Sequence, residues 1–123
     1  MRFRDCDAMG HVNNAVYFTY MEQARFAYAQ HVLAGDAASL PIILARAECD
    51  FKAQATYGDV LDVFVRLTRI GRASFTLEYD VVDVAGGASV ATGRSVQVAY
   101  DYAAQRSMAI PDRARRRLEH ELS

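Results

Sequence analysis

The stretch RDCDAMGHVNNAVYFTYMEQAR, residues 4–25, places a cluster of polar residues immediately before an almost wholly apolar run. From residue 15 to residue 33 the chain contains neither glycine nor proline, which predicts one helix about 28 Å long at 1.5 Å per residue. Asn13 and Asn14 are residue types that cap helix N-termini, and Gly35 is a typical stop after a helix. Because apolar residues occupy most of the circumference, we expect the helix to be buried on most sides.

Downstream of this helix the hydrophobic period changes to that of strands. Residues 59–68 and 75–81 alternate apolar and polar positions, as half-buried antiparallel strands do. Residues 42–51 and 90–102 predict two further strands, and residues 111–122 predict a short polar helix. Glycines at the Gly58-Asp59, Gly71-Arg72 and Gly86-Gly87 pairs mark turns between strands.

The order of these elements predicts an α+β fold in a single domain over residues 1–123. A short strand comes first, then one long helix, then about four long antiparallel strands and a C-terminal helix. A curved sheet of about five strands that wraps around a central helix satisfies both hydrophobic patterns, because the helix supplies the core and the sheet supplies its wall.

Composition excludes several classes of function. The formal net charge is −1, so no overall field attracts nucleic acid, and no run of about 18 apolar residues could span a membrane. Cys6 and Cys49 are too few for a disulfide framework and lack the spacing of a zinc site, so we expect no metal. The opening residues, MRFRDCD, lack the apolar core of a signal peptide. We therefore expect a reduced, cytoplasmic protein that binds neither nucleic acid nor membrane.

The polar cluster carries a recognisable motif, D-x-D-x-x-G-H-V-N-N-x-x-Y. Its residues here are Asp5, Asp7, Gly10, His11, Val12, Asn13, Asn14 and Tyr17, and the sequence E-Q-A-R follows at residues 22–25. The motif and its helical context resemble the hotdog-fold thioesterases, most of all the acyl-CoA thioesterase branch that includes 4-hydroxybenzoyl-CoA thioesterase. Weaker likenesses at residues 57–59, 70–74 and 110–111 extend the resemblance over almost the whole chain.

The resemblance implies hydrolysis of an acyl- or aroyl-CoA thioester to the free acid and CoA, with no cofactor beyond the CoA of the substrate. Such a reaction needs a nucleophile, or a base that activates water, and a donor for the oxyanion. Asp7 matches the family's catalytic acidic residue, as nucleophile or as general base. The backbone amide of Asn14 matches its oxyanion donor, since the first N–H groups of a helix have no partner within it.

Neighbouring residues have weaker claims on the chemistry. Gly10 would let the backbone approach the thioester closely. His11 could bind substrate, orient water or hydrogen-bond a loop carbonyl. Glu22 is a possible catalytic carboxylate, because some hotdog thioesterases use a glutamate on the central helix, but an ion pair with Arg25 is the simpler interpretation. The Cys6 thiol is not a convincing nucleophile, because the adjacent carboxylate raises a thiol pKa.

Substrate contacts are expected along the helix and at the exit for the CoA phosphates. The residues expected to line the acyl pocket are Tyr17, Tyr20, Met21, Phe51 and Tyr57. The basic residues that could meet the phosphates are Arg72, Arg94 and Lys52. The arginine-rich run at residues 113–117 is more typical of a solvated face. Arg94 shares its strand parity with Val96 and Val98, which predicts that it points at the helix layer unless a bulge lies at Gly93.

Two alternatives stay open at this point. In plant acyl-carrier-protein thioesterases an asparagine lies two residues after the aspartate, and that place is Met9 here, which weakens the match without removing a carrier-protein substrate. A non-catalytic acyl-CoA-binding protein could use the same pocket. A single hotdog unit leaves helix and sheet edge exposed, so we expect a homodimer or homotetramer with sites between subunits. The acyl group itself is not defined by the sequence.

Overall fold

The structure is a computed structural model that describes residues 14–33, 41–53 and 60–122. It contains two helices and five strands: α1 (Asn14–Leu33), β1 (Ile42–Phe51), β2 (Leu61–Ile70), β3 (Ser74–Asp83), β4 (Ser89–Asp101), β5 (Arg106–Ser107) and α2 (Asp112–Glu121). The helix predicted from residue 15 thus begins one residue earlier. The predicted first strand, before residue 5, lies outside the described residues. The N-terminal part of the predicted single domain therefore also lies outside them.

The five strands form one antiparallel sheet in the order β1-β4-β3-β2, with β5 paired to β4. The fifth strand that the structure describes is therefore the two-residue β5, which the sequence analysis did not predict. Hairpins close at the glycine turns between β2 and β3 and between β3 and β4, and Gly87 in the second turn has a φ of +71°. That left-handed conformation is one that glycine adopts without strain.

One face of the sheet and one side of α1 form the core. The alternation along β3 is confirmed, since Phe75, Leu77, Tyr79 and Val81 are all buried. Near the start of α1, Tyr17 packs in a cluster with Val81, Val90 and Ala91. Near its end, Val32 joins a cluster with Phe75, Ile110 and Leu118. The helix therefore runs along the sheet from the β3–β4 turn towards the β2–β3 turn.

In the single chain α1 is buried along one side only. Tyr17, Met21 and Val32 are buried, whereas Phe18 is 38% and Phe26 is 68% exposed. The prediction of burial on most sides is thus wrong for one chain by itself, because one sheet covers one side of a helix and no second layer covers the other within the described residues. The apolar residues on the uncovered side are an exposed surface of this chain.

The C-terminal helix α2 closes one end of the core. Its Ala114 and Leu118 are buried against α1 and the sheet. The Arg115 guanidinium donates to the carbonyl oxygens of Gly71 at 2.8 Å and of Arg72 at 3.0 Å. The predicted polar helix is therefore present, and this arginine of the basic run joins α2 to the β2–β3 turn.

The faces of β4 correct one prediction. In the second half of this strand the buried positions are Ser95, Gln97 and Ala99, so Arg94 and Val96 lie on the sheet face that points away from α1. The register shift lies between Val81 and Val82 of β3, opposite Val90, and not at Gly93. The pairing with β3 decides this parity, since Leu77 lies opposite Ser95 and Phe75 lies opposite Gln97, and both partners face the helix.

Candidate active site

The N-terminus of α1 is the anchor of the candidate site. The helix begins at Asn14, and its first turn contains no acidic residue. The leading backbone N–H groups of a helix have no acceptor within it and carry partial positive charge. An oxyanion donor at Asn14 therefore has the required backbone setting. Asp7, Gly10, His11 and Tyr57 lie outside the described residues, so their predicted roles stay predictions.

An aromatic group surrounds the first turns of α1. The ring of Tyr17 lies 5.5 Å from that of Phe51 and 6.4 Å from that of Tyr20, measured between centroids. The ring of Phe18 also lies 6.4 Å from Phe51. Tyr17 is 1% exposed, so it is part of the core, while Phe51 is 42% exposed. Of the predicted pocket wall, the structure thus brings together Tyr17, Tyr20 and Phe51.

A small cavity of about 70 Å³ lies farther along the helix, between α1, β1 and β4. We call it the inner pocket. It is lined by Phe18, Met21, Glu22, Arg25, Leu44, Ala47, Tyr79 and Ser95, and it also borders Arg94, whose ion pair with Glu48 lies on the outer sheet face. The four helical residues recur at spacings of three and four, which places them on one face of α1. Among the predicted pocket residues that the structure describes, only Met21 lines it.

A chain of buried hydrogen bonds forms the floor of this region. The side-chain amide of Gln97 donates to the carbonyl oxygen of Phe75 at 3.0 Å, and the Ser95 hydroxyl donates to the Gln97 side-chain oxygen. The Tyr79 and Ser95 hydroxyls are joined at 2.5 Å. Burial raises the pKa of Tyr79, and the hydrogen bond shared with Ser95 and the nearby guanidinium of Arg25 oppose that rise.

Glu22 and Arg25 line the inner pocket together, but no ion pair joins them among the ion pairs of the described residues. Glu22 is exposed and Arg25 is partly buried. The predicted Glu22–Arg25 ion pair is therefore not formed in the single chain.

The Cys49 thiol is a weak nucleophile. Burial, and to a smaller extent the charge of Asp50, raises the pKa of this thiol and keeps it protonated.

The predicted phosphate contacts are far from one another. Arg72 lies in the β2–β3 turn, which is the end of the sheet towards which α1 runs, whereas Asn14 starts the helix at the other end. Arg94 lies on the outer sheet face, with its Nε atom 3.6 Å from a carboxylate oxygen of Glu48. Lys52 is exposed just after β1. The structure does not bring these residues together around the start of α1 within one chain.

Two further classes of site are absent from the described part of the chain. No group of three or more His, Cys, Asp or Glu side chains there could hold a metal ion. Neither helix is long and apolar enough to cross a membrane.

Comparison with known sequences decides the family. A sequence model of the thioesterase-like superfamily matches residues 1–118, which include the polar motif, α1 and the whole sheet. The chain belongs to the thioesterase-like superfamily. The match begins before Asp5 and reaches into α2, so it covers both the motif and the core that carries it.

Solved thioesterase structures share this fold. A Thermus thermophilus thioesterase, in complex with coenzyme A and Zn, is 36% identical and aligns with 96% of this chain and 91% of its own, with a TM-score of 0.85. A predicted thioesterase from Bacillus stearothermophilus is 27% identical and aligns with 100% of this chain and 92% of its own, with a TM-score of 0.90. The resemblance to hotdog-fold thioesterases is thereby confirmed.

Curated relatives match this chain over part of their length. An Aquifex aeolicus protein with the provisional name of esterase is 33% identical over 89 residues, which are 66% of each chain. The matched stretch spans 54% to 66% of the length of the curated relatives. The same stretches cover 64% to 66% of this thioesterase-like chain.

The buried hydrogen-bond chain beside the inner pocket is a feature that the sequence analysis did not predict. Ser95 and Gln97 occupy helix-facing positions, but the valines between them suggested the opposite parity for β4. The signal for a buried polar pair is two polar residues at alternate positions of a strand, opposite Leu77 and Phe75. It can be recognised only when the β3–β4 register is known. For Arg25 the sequence predicts only an ion pair with Glu22.

Proposed function

We propose that this chain is an acyl-CoA thioesterase that hydrolyses an acyl- or aroyl-CoA thioester to the free acid and CoA. The observation that carries the proposal is the superfamily match over residues 1–118, which includes Asp7 and the start of α1 in one alignment. The 36% identical thioesterase with coenzyme A bound supports CoA as the carrier. The proposed reaction needs no cofactor beyond the CoA of the substrate.

Two groups would perform the chemistry. The Asp7 carboxylate either attacks the thioester carbonyl, giving an anhydride that water then hydrolyses, or takes a proton from the water that attacks. In both routes the CoA sulfur leaves as a thiolate and is protonated. The backbone N–H of Asn14 donates to the oxyanion that forms on the carbonyl, and one such donor contributes about 3–4 kcal/mol to transition-state stabilisation.

Assembly completes this proposal. The uncovered side of α1 carries an apolar groove of about 490 Å³, lined by Glu22, Gln23, Arg25, Phe26, Ala29 and Ile42. We propose a homodimer or homotetramer in which a partner covers this side, so that α1 becomes central and the site lies between subunits. Exposed apolar surface of this kind is typical of an interface.

Sedimentation velocity at micromolar concentration tests the assembly. The wild type should sediment as a dimer or larger, and Phe26→Glu should weaken association because it places a charge on the uncovered helix side. Phe64→Glu is the matched control, because Phe64 is also exposed but belongs to β2 and points away from α1. A monomeric wild type would contradict the proposed assembly.

The activity is tested by release of CoA thiol from a panel of acyl- and aroyl-CoA thioesters. Asp7→Asn removes the charge while keeping the size, and kcat should fall about 100-fold or more, the range for loss of a general base or nucleophile. Asp5→Asn is the matched control and should retain most of the activity. The variants should keep the oligomeric state and the substrate affinity of the wild type.

Other outcomes separate the alternatives. Equal turnover by wild type and Asp7→Asn would refute the role of Asp7, and Glu22→Gln would then test the helix carboxylate. Turnover of acyl-carrier-protein thioesters but not of CoA thioesters would identify a carrier-protein thioesterase. Tight binding of intact acyl-CoA without thiol release would identify a non-catalytic binding protein.

A further inference from the structure

We infer that Arg25 is a specificity-determining residue that binds an oxygen-bearing group, a carboxylate or a hydroxyl, at the far end of the acyl group. The inference rests on the proposed thioesterase function and names a substrate class for it. Such an acyl group is apolar along its length and polar at its end.

The buried hydrogen-bond chain holds the Arg25 side of the inner pocket in one arrangement. Gln97 donates to Phe75, and Ser95 donates to Gln97. Because the one hydroxyl proton of Ser95 is used in this way, the Tyr79 hydroxyl must donate to Ser95. The Tyr79 oxygen can then only accept any further hydrogen bond, and Arg25 lines the same pocket as Tyr79.

The guanidinium of Arg25 has donors to spare. It has five N–H donors and no acceptor, and a single acceptor such as the Tyr79 oxygen could use only part of them. Arg46, Arg66 and Arg94 each lie within 3.6 Å of a glutamate oxygen, whereas no such carboxylate partner is found for Arg25 among the described residues. A partly buried cation with unused N–H donors is suited to bind an acceptor oxygen of a ligand. Such a hydrogen bond would be strong because its donor is charged.

The position of Arg25 matches the far end of an acyl group. Arg25 is eleven residues after Asn14, which is about 16 Å along the helix axis at 1.5 Å per residue. Long helical side chains point back towards the helix N-terminus, so the guanidinium lies nearer to Asn14 than its Cα atom does. A thioester carbonyl at the Asn14 amide would therefore direct a medium-length chain or an aromatic ring along α1 towards Arg25.

The walls of the inner pocket agree with this class of ligand. Phe18 and Met21 line it from the helix, and Leu44 and Ala47 line it from β1. Leu44 is 48% exposed, so this apolar wall is accessible in the single chain. Apolar side chains beside a small number of placed polar groups are typical of ligand pockets.

The test is kinetic and uses CoA thioesters of equal chain length that end in a methyl, a hydroxyl or a carboxylate group. In the wild type one of the oxygen-bearing substrates should have the highest kcat/KM. Arg25→Met should lower kcat/KM for that substrate about 10- to 100-fold, the range for loss of a hydrogen bond to a charged group. The methyl-ended substrate should change little. Loss with carboxylate or with hydroxyl identifies which group Arg25 binds.

Matched variants separate specificity from folding. Arg66→Met removes a β2 arginine that pairs with Glu78 on the outer sheet face, and it should leave all three rates unchanged. Arg25→Lys keeps a cation and should retain part of the preference, which gives a second measurement if Arg25→Met does not fold. Equal losses for all three substrates in Arg25→Met, or no loss for any, would overturn the inference.

A binding experiment keeps the inference distinct from the proposed function. If the wild type hydrolyses none of the thioesters, calorimetry with the corresponding free acids ending in methyl, hydroxyl or carboxylate still tests Arg25. Tighter binding of an oxygen-ended ligand by the wild type, lost in Arg25→Met, would support the inference while the enzymatic proposal fails. Equal affinities for the three ligands would refute it.

Discussion

Met21 of α1 lies directly against Gly93 of β4, and this contact sets how closely the helix approaches the sheet. A Cβ atom added at position 93 would overlap the sulfur of Met21 and would stand 3.0 Å from the carbonyl oxygen of Glu48. Met21 is 3% exposed, so it cannot swing into solvent without leaving the core. The close approach of α1, which carries Glu22 and Arg25, to the sheet therefore depends on glycine at position 93.

Gly93→Ala should destabilise the protein by about 1–3 kcal/mol, because overpacking of a core forces side chains and backbone to shift. Urea unfolding measures the change. Gly86→Ala is the matched control, since a Cβ atom there meets nothing closer than Asp83 Oδ2 at 4.0 Å. Equal stabilities of the two variants would show that the Met21 contact does not limit the helix approach.

Ser95 should couple energetically to Tyr79. Ser95→Ala leaves the Gln97 oxygen and the Tyr79 hydroxyl without their hydrogen-bond partner, which costs about 1–3 kcal/mol for a buried polar group. In a double-mutant cycle, Ser95→Ala combined with Tyr79→Phe should cost less than the sum of the single changes. Ser107→Ala, in the exposed β5, serves as a control and should be nearly neutral. Strict additivity would contradict the buried hydrogen-bond chain.

Arg115 should contribute more to stability than its neighbour Arg116. Arg115→Met removes two hydrogen bonds from a charged donor to the carbonyls of Gly71 and Arg72, and such bonds contribute about 1.5–3 kcal/mol each before solvent screening. Arg116→Met, at an exposed position of the same helix, should change stability by less than about 0.5 kcal/mol. Thermal unfolding of both variants measures the difference. Equal melting temperatures would show that the hydrogen bonds of Arg115 to the β2–β3 turn do not stabilise the fold.

Stability should fall at alkaline pH in a way that depends on Tyr79. Burial raises the pKa of Tyr79 above its usual 10.0, so the folded protein retains a proton that the unfolded chain loses. The contribution of protonated Tyr79 to the free energy of unfolding is fully present below about pH 10. It is lost as pH rises through the pKa that Tyr79 has in the folded protein. Cys49 acts in the same direction from its usual 9.0.

Urea unfolding between neutral and alkaline pH checks this dependence. Tyr79→Phe should be less stable than wild type at neutral pH but should lose less stability on going above pH 10, because it has no hydroxyl to ionise there. Tyr102→Phe is the control, since Tyr102 is 59% exposed, and its pH profile should follow that of the wild type. Parallel profiles for wild type and Tyr79→Phe would refute the assignment to Tyr79.

Local pattern predicted most elements of the fold. The strand predicted over residues 42–51 has those bounds in the structure, and the C-terminal helix differs from its prediction by a residue at each end. These segments could be predicted because their hydrophobic period or the turn residues beside them can be recognised within a few residues. The parity of β4 failed because it contains apolar residues on both faces, so only pairing with β3 could decide it.

The candidate site divides in the same way. The motif that contains Asp7 and Asn14 was readable because its residues are consecutive or nearly so, and the family match confirms the resemblance they carry. The inner pocket was not readable, because Arg25, Tyr79 and Ser95 come from three elements. No spacing rule within one segment connects residues that are 54 and 16 positions apart in the chain.

By itself the sequence determined the elements, their order, the family likeness and the helix start at which the chemistry is proposed. Only the tertiary structure decided which face of β4 meets α1, that Gly93 leaves room for Met21, and that a buried hydrogen-bond chain ends at Tyr79, in the same pocket as Arg25. The physical reason is that helix and strand patterns follow from interactions between near neighbours, whereas sheet register and helix approach depend on packing between segments distant in the chain.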